Sequence, residues 1–556
     1  MNRREFLRRS VPVTAIPFLL NGFPLRAYGR APFLETLVAA ATATDRVLVL
    51  VQLGGGNDGI NTVIPLDQDS VYMSVRSNIA IPINSVIRLN SSTGSPLPAG
   101  LHPSMDGRFT VGGVSVPANG GMKALFDDGK LTIVQGVSYP NPNLSHFRAT
   151  DIWLTASDYN VELNTGWLGR YLDREFPGYG TPQFDDQVMP DPLAIQIGSV
   201  VSFGLQGSAR SMGIAIQSPE TFFQLVNQGS GGVIDSAPQT PAGRELEYIR
   251  AVAVQSQEYA AQIKRAADLA PRNLSALYPD TGRNTLADQL RVVARLIAGG
   301  LKTRVYVVNL GGFDNHSAQV DVTDKTSGIH ASLLGRLANA LMAFQDDIRL
   351  FGVEQRVLGM TFSEFGRRVA SNASLGTDHG TAAPMFLFGA PVKAGIVGVN
   401  PSLTDLTNGN LKMQYDFRDV YASVLSQWFG VSSAELNAVL SKATGPLNPN
   451  LPLIRPGVAV SAEQPSSLPT DFQLYANYPN PFNPSTTITY DLPHDVNVTL
   501  KVYDVMGREV ATLVNEFQPA GKHRVQFHPN GLSSGAYIYQ LQAGSFTDRK
   551  RMLYVK

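Results

Sequence analysis

The sequence predicts an α/β body on a doubly wound, mostly parallel sheet, followed by a small all-β, immunoglobulin-like sandwich. Unbroken apolar runs that stop at glycine or polar residues are typical of strands buried on both faces of a parallel sheet. Segments of helical periodicity alternate with these runs, as in α/β folds. After Arg455 the pattern changes to short alternating strands separated by Gly and Pro, which is typical of a β-sandwich.

Five apolar runs place the strands of the predicted body, which we assign to residues 45–455. Residues 47–53 form an unbroken run, Val-Leu-Val-Leu-Val-Gln-Leu, that ends in Gly54-Gly-Gly. The later predicted strands are Lys130–Val137, Thr303–Leu310, Gln355–Phe362 and Thr381–Gly389. The predicted helices are Thr285–Leu301, Ile329–Phe351 and Asp416–Phe429. Residues 185–245 are rich in Gly, Ser and Pro with scattered strands, and we expect them to cap one edge of the sheet.

The C-terminal segment divides into a linker and the sandwich. Residues 456–470 are rich in Pro, Ser, Ala and Val without periodicity, which predicts a linker. Gly and Pro separate short alternating runs within residues 471–556, the predicted sandwich. Its predicted strands are Thr486–Leu492, Val496–Val502, Glu509–Val514, His523–His528 and Ala536–Ala543.

Three motifs in this sandwich resemble the type A sorting domain of the type IX secretion system. They are Tyr478-Pro-Asn-Pro-Phe-Asn-Pro-Ser485, Val502-Tyr-Asp-Val-Met-Gly-Arg-Glu-Val510 and Gly535-Ala-Tyr-Ile-Tyr539. The resemblance implies delivery through the periplasm to the cell surface or the medium, with the type IX machinery as partner. A carbohydrate-binding or adhesive sandwich is the alternative.

The N-terminus matches a twin-arginine export signal. Arg3 and Arg4 are followed by Glu5-Phe6-Leu7 and by a modestly apolar stretch from about Val11 to Leu25. We therefore expect residues 1–44 to be a signal peptide and leader that the twin-arginine (Tat) translocase recognises. A basic N-terminal arm is the alternative.

Composition excludes several classes of function. The formal net charge is zero, but the first thirty residues hold six arginines and one glutamate, so the rest of the chain is slightly acidic. This balance argues against a nucleic-acid partner. The absence of cysteine excludes disulfides, thiolate metal sites and cysteine nucleophiles. No apolar run reaches the roughly 18–20 residues of a membrane-spanning helix, so no transmembrane anchor is expected.

Polar side chains follow the ends of several predicted strands. Asp58, Ser145, Asp314, His316 and Glu364 lie just past strand ends, and the pair Asp378-His379 lies in the loop that enters the next strand. Ligands of open parallel sheets bind beyond the carboxyl ends of the strands, so we expect these side chains to meet. Carboxylates and imidazoles without thiolates suit Zn²⁺, Mn²⁺, Mg²⁺ or Ca²⁺.

Six segments between residues 45 and 430 combine these polar side chains with glycines and aromatic residues. They are Leu53-Gly-Gly-Gly-Asn-Asp-Gly-Ile-Asn61, Asn143-Leu-Ser-His-Phe147, Gly166-Trp-Leu-Gly-Arg170, Gly311-Gly-Phe-Asp-Asn-His316, Ser363-Glu-Phe-Gly-Arg367 and Gly376-Thr-Asp-His-Gly380. Their order resembles the uncharacterised DUF1501 family, which is similar, more distantly, to the alkaline phosphatase and sulfatase superfamily. The resemblance implies an alkaline phosphatase-like body with two divalent metals. It implies that Asp58 is a first-strand metal ligand and Ser145 the nucleophile.

 

By the same resemblance, Asp314 and His316 would hold one metal, and Asp378 and His379 the other. The superfamily has a third imidazole, for which His146 and His330 are the candidates. Asn57 lies in a turn that can supply N–H donors, and Glu364 and Arg367 can form an ion pair that holds the site.

Each of these residues also has a structural interpretation. Asp58 suits a glycine-rich turn, and Ser145 suits the cap of a helix that begins after it. Asp378 and His379 can form a hydrogen-bonded pair without a metal.

The sequence favours an exported, metal-dependent hydrolase of phosphate or sulfate esters, with a small-molecule or polymeric substrate. A non-catalytic surface or assembly protein that retains an alkaline phosphatase-like fold is the alternative. A metal site that only stabilises the fold is the third interpretation.

Overall fold

The computed structural model describes nine segments of the chain and two short strands near its start, Phe18–Leu20 and Phe23–Leu25. The chain divides into two compact units, Met1–Ala462 and Glu463–Lys556. The rest of the predicted signal 1–44 and most of the predicted linker 456–470 lie outside the described residues. The described segments are 45–91, 94–179, 189–228, 259–442, 445–458, 471–477, 480–518, 521–529 and 531–555.

A nine-stranded sheet in the first unit confirms the predicted α/β class. Its strands are β1 Val47–Gly54, β2 Leu131–Ser138, β3 Ala194–Ile197, β4 Gly213–Ile216, β5 Val305–Gly311, β6 Val357–Phe362, β7 Ala383–Phe388, β8 Gly395–Val397 and β9 Tyr415–Asp416. Their order is β4-β3-β5-β1-β6-β7-β2-β8, and β9 also pairs with β2. All pairings are parallel except those of β7, which is antiparallel to both β6 and β2.

Two of these strands lie within residues 185–245, where the sequence predicts scattered strands and a cap over one edge of the sheet. Within the described part of that range, β3 and β4 pair in parallel and extend the edge of the sheet beside β5. Both are only four residues long and lie among Gly, Ser and Pro, so their sequences carry little strand signal.

Helices pack with the sheet in one continuous hydrophobic core. The α-helices are Gly59–Thr62, Asp69–Val75, Gly121–Asp127, His146–Thr155, Trp167–Glu175, Pro219–Gln228, 259–269, Thr285–Ala298, Ile329–Leu350, Phe417–Phe429 and Ser433–Val439. The 3₁₀ helices are Leu66–Gln68, Ile83–Ser85, Pro103–Asp106, Phe203–Leu205 and Glu354–Arg356. Smaller antiparallel sheets contain Val63–Pro65, Ile87–Asn90 and Pro96–Leu101, then Phe109–Val111 and Val114–Val116, then Leu406–Thr407 and Asn410–Leu411. In the described part of the chain, no helix has the length and apolar content needed to cross a bilayer.

The second unit is all-β, as predicted. A three-stranded and a four-stranded antiparallel sheet share one hydrophobic core, to which Tyr490 and Tyr539 contribute from opposite sheets. The sequence interpretation did not include the last strand, Phe546–Tyr554, because four consecutive charged residues, 548–551, interrupt the alternation of apolar and polar residues. The strands are Gln473–Leu474, Thr486–Leu492, Val496–Asp504, Glu509–Gln518, Gly521–Phe527, Gly535–Ala543 and Phe546–Tyr554.

Candidate metal centre

Loops from five strands meet at the carboxyl edge of the central sheet. The strands β1, β2, β5 and β6 run in the same direction, so the loops that follow them lie at one edge. Strand β7 runs the opposite way, which brings its amino end, and with it Asp378 and His379, to the same edge. The antiparallel strand therefore places this pair beside residues that follow parallel strands.

Three imidazoles converge on one carboxylate oxygen in this cluster. Asp314 Oδ1 lies 3.1 Å from Nε2 of His316, 3.4 Å from Nε2 of His379 and 3.5 Å from Nε2 of His146. The Nε2 atoms of His316 and His379 are 2.9 Å apart. Ligand atoms of His146, Asp314 and His379 all lie within 4.8 Å of one another, so the group could hold a metal ion.

Hydrogen bonds on the far side of two rings direct their Nε2 atoms into the cluster. Nδ1 of His146 lies 2.9 Å from Oε1 of the buried Glu364. Nδ1 of His379 donates to the carbonyl of Leu144 at 2.8 Å. Metal-bound histidines are usually held in this way by a carboxylate or a carbonyl. Nε2 of His146 is buried and has no hydrogen-bond partner among the described residues, as expected of an atom that faces an ion.

The donor set fits a transition metal better than Mg²⁺ or Ca²⁺. Three imidazoles and one carboxylate suit Zn²⁺ and similar ions, whereas Mg²⁺ and Ca²⁺ prefer oxygen ligands. Burial is the main reason that the pKa of His379 is lowered, which favours the neutral ring that binds metals.

Arg367 connects the cluster to the surrounding loops. Its buried guanidinium donates to the carbonyls of Gly55, Gly56, Phe313 and Thr377. It also donates to Asp314 Oδ1 at 2.7 Å. Partial burial acts to raise the pKa of Asp314, but the hydrogen bond and charge of Arg367 outweigh it and the pKa is lowered. The carboxylate therefore stays ionised.

Ser145 lies beside the cluster and is exposed to solvent. It occupies the N-cap position of the helix His146–Thr155, but its hydroxyl makes no capping hydrogen bond. Its neighbours on both sides contact the cluster, Leu144 through its carbonyl and His146 through its ring.

Asp378 lies behind His316 and does not point at Asp314. Its Oδ1 is 3.7 Å from Nδ1 of His316 and accepts a hydrogen bond from Asn372 at 3.3 Å. The side chain is 59% exposed and lies on the Nδ1 side of the His316 ring, whereas Asp314 lies on the Nε2 side.

Asp58 is paired in a separate buried network. Its Oδ2 lies 2.5 Å from Nη1 of Arg76 and accepts from Gln319 at 2.6 Å. Burial acts to raise the pKa of Asp58, but the charge of Arg76 and the hydrogen bonds from Arg76 and Gln319 outweigh it, and the pKa is lowered. The structure does not bring Asp58 among the side chains that converge on Asp314.

Asn57 and His330 belong to this network as well. Nε2 of His330 lies 3.1 Å from Oδ1 of Asn57, which also accepts from Thr62. Burial is the main cause that lowers the pKa of His330 to about 4, so the ring is neutral. Sequence reasoning missed Arg76 and Gln319, because nothing in their local sequence distinguishes a buried polar side chain from an exposed one.

The fold and the site define an α/β protein with a candidate His/Asp metal cluster and a separate β-sandwich. Residues 138–440, more than half of the chain, match the family described as "Protein of unknown function (DUF1501)", and the chain belongs to this family. Residues 476–555 match the secretion system C-terminal sorting domain. This domain implies a type IX secretion system and indicates export to the cell surface or the extracellular space. None of the curated proteins compared with the chain matches it.

Three solved structures show distant likenesses. PorZ, a surface component of the type IX secretion system of Porphyromonas gingivalis, is 16% identical over 19% of this chain and 14% of its own, with a TM-score of 0.12. A Bacteroides thetaiotaomicron protein from work on glycosaminoglycan metabolism is 10% identical over 85% of this chain and 90% of its own, with a TM-score of 0.31. A phosphonate monoester hydrolase from Silicibacter pomeroyi is 10% identical over 91% of this chain and 88% of its own, with a TM-score of 0.28.

Proposed function

We propose that the chain is a metal-dependent hydrolase of phosphate or sulfate esters that acts outside the cell. The observation that carries the proposal is the convergence of three Nε2 atoms on Asp314 Oδ1 beside an exposed serine at a helix N-terminus. The sorting domain supports an extracellular site of action.

The proposed metal ligands are His146, His316, His379 and Asp314. A bound divalent ion would supply Lewis acidity and lower the pKa of a coordinated hydroxyl. We propose one centre instead of the two that the family resemblance implies. The charge of Asp58 is already balanced by Arg76, and Asp378 lies behind His316.

Ser145 is the proposed nucleophile. The contacts of Leu144 with His379 and of His146 with Asp314 fix the serine between them at the edge of the cluster. The first N–H groups of the helix His146–Thr155 have no partner within the helix, and its dipole favours anions, so this end suits the ester oxygens. Attack by Ser145 Oγ on the phosphorus or sulfur atom forms a serine phosphate or sulfate ester as the bond to the leaving alcohol breaks, and the serine proton departs with that alcohol. Water then hydrolyses the serine ester, which releases phosphate or sulfate and restores the hydroxyl.

The test combines metal analysis with an ester screen on the full chain. We expect about one divalent ion per chain and hydrolysis of a 4-nitrophenyl phosphate monoester, diester or sulfate. Ser145→Ala should lower kcat about a thousandfold or more without loss of metal, because a nucleophile is removed and no ligand is. Ser74→Ala, which changes an exposed serine in the helix Asp69–Val75, is the matched control and should leave kcat unchanged.

Two results would contradict the proposal. Full activity in Ser145→Ala would remove the serine from the nucleophile role. Metal-loaded protein that hydrolyses none of the three esters would favour a non-catalytic surface or assembly role.

A further inference from the structure

Phe147 is the most exposed large hydrophobic side chain among the described residues. Its side chain is 87% exposed, although the burial of a phenylalanine side chain stabilises a folded protein. By contrast, Phe365, which packs against the rings of His146 and His379, is only 2% exposed. Phe365 therefore supplies the aromatic contact with the histidine rings of the cluster, whereas the exposed Phe147 ring contributes little to the packing of the fold.

The position of Phe147 places it at the rim of the candidate centre. It is the second residue of the helix His146–Thr155, directly after His146 and two residues after Ser145. Side chains in a helix lean toward its N-terminus, so the ring leans toward the end of the helix where Ser145 lies.

We propose that Phe147 determines substrate specificity by packing against a flat ring in the leaving group of the ester. This inference rests on the proposed function and names its substrate class: esters of ring-bearing alcohols, either aryl or sugar, that offer an apolar face. An exposed aromatic ring beside a polar reaction centre is suited to such a face, because aromatic side chains combine a large apolar area with few rotatable bonds.

The test compares ring-bearing with linear esters on the metal-loaded full chain. Phe147→Ala should lower kcat/KM for phenyl phosphate or for glucose 1-phosphate about threefold to tenfold and leave methyl phosphate unchanged. Loss on only one ring-bearing ester identifies the source of the ring as aryl or sugar. Phe147→Tyr should retain the wild-type preference. The matched control is Phe517→Ala in the sandwich, where a ring 64% exposed lies outside the first unit.

A binding measurement separates this inference from the proposed function. Calorimetry with phenylphosphonate and methylphosphonate requires no turnover. If the wild type hydrolyses esters but Phe147→Ala keeps the same ratio of ring-bearing to linear substrates, the inference is overturned and the proposed function stands. If the wild type hydrolyses none, the proposed function fails. In that case, tighter binding of phenylphosphonate that depends on Phe147 supports the inference, and equal binding of the two phosphonates overturns it.

Discussion

At the scale of single residues, the sequence identified the side chains that meet at the cluster but not the buried partners of Asp58. Asp314, His316 and His379 meet because all three follow or precede strands whose relevant ends lie at one edge of the sheet. The pairing of Asp58 with Arg76 could not be predicted, because it depends on how residues 18 positions apart are buried together.

The role of Glu364 gives a prediction at this scale. Its carboxylate holds Nδ1 of His146, so Glu364→Ala should weaken metal affinity about 10- to 100-fold, measured by competition with a chromophoric chelator. Glu364→Gln retains an acceptor oxygen and should lose less. Glu354→Ala, which changes a glutamate paired with Lys130, should leave affinity unchanged. Unchanged affinity in Glu364→Ala would exclude His146 as an oriented ligand.

At the scale of elements, burial decides which strands the sequence reveals. Strands β1 and β2 are buried along nearly their whole length, and their apolar runs made them predictable. The direction of β7 was not predictable, because an apolar run has the same pattern in a parallel and an antiparallel strand when both faces are buried. That direction matters for function, since it carries His379 to the carboxyl edge.

Gly359 in β6 makes the antiparallel pairing with β7 possible. It lies opposite Phe388, and a Cβ added at Gly359 would approach the ring of Phe388 to 2.1 Å. Since that ring is fully buried, Gly359→Ala should lower the free energy of unfolding by about 1–3 kcal/mol, measured in urea by tryptophan fluorescence.

Two further variants test this explanation of Gly359. Gly311→Ala in β5 is the matched control, because an added Cβ there meets no atom within 4 Å. Adding Phe388→Leu to Gly359→Ala should recover part of the loss. Equal destabilisation by the two glycine substitutions would show that the close approach of Phe388 is not the cause.

At the scale of the whole molecule, the candidate centre and the last described residues of the first unit lie at opposite edges of the central sheet. Arg46, immediately before β1, donates to the carbonyl of Val458 at 2.6 Å and to that of Trp428 at 2.7 Å. Both ends of the described body therefore meet at the amino edge of the sheet. The candidate centre lies at the carboxyl edge, about 25 Å away along the eight residues of β1.

The stability of the first unit should depend on pH through two buried histidines. Burial is the main cause that lowers the pKa of His102 to about 3 and of His330 to about 4, against 6.5 for an exposed ring. Between pH 4 and pH 6.5, these two histidines bind more protons in the unfolded chain than in the folded one. Their contribution to the free energy of unfolding is therefore complete above pH 6.5 and is lost as the pH falls toward 4. We expect a loss of about 2–4 kcal/mol between pH 7 and pH 5.

Tryptophan fluorescence isolates this effect, because all three tryptophans lie in the first unit. The double variant His102→Asn and His330→Gln keeps an acceptor for the Ser104 N–H and a donor for Asn57, and should flatten the pH dependence. His494→Gln, which changes an exposed histidine of the sandwich, should leave it intact. A double variant that loses as much stability as the wild type on acidification would assign the effect to carboxylates, whose protonation also destabilises folded proteins at low pH.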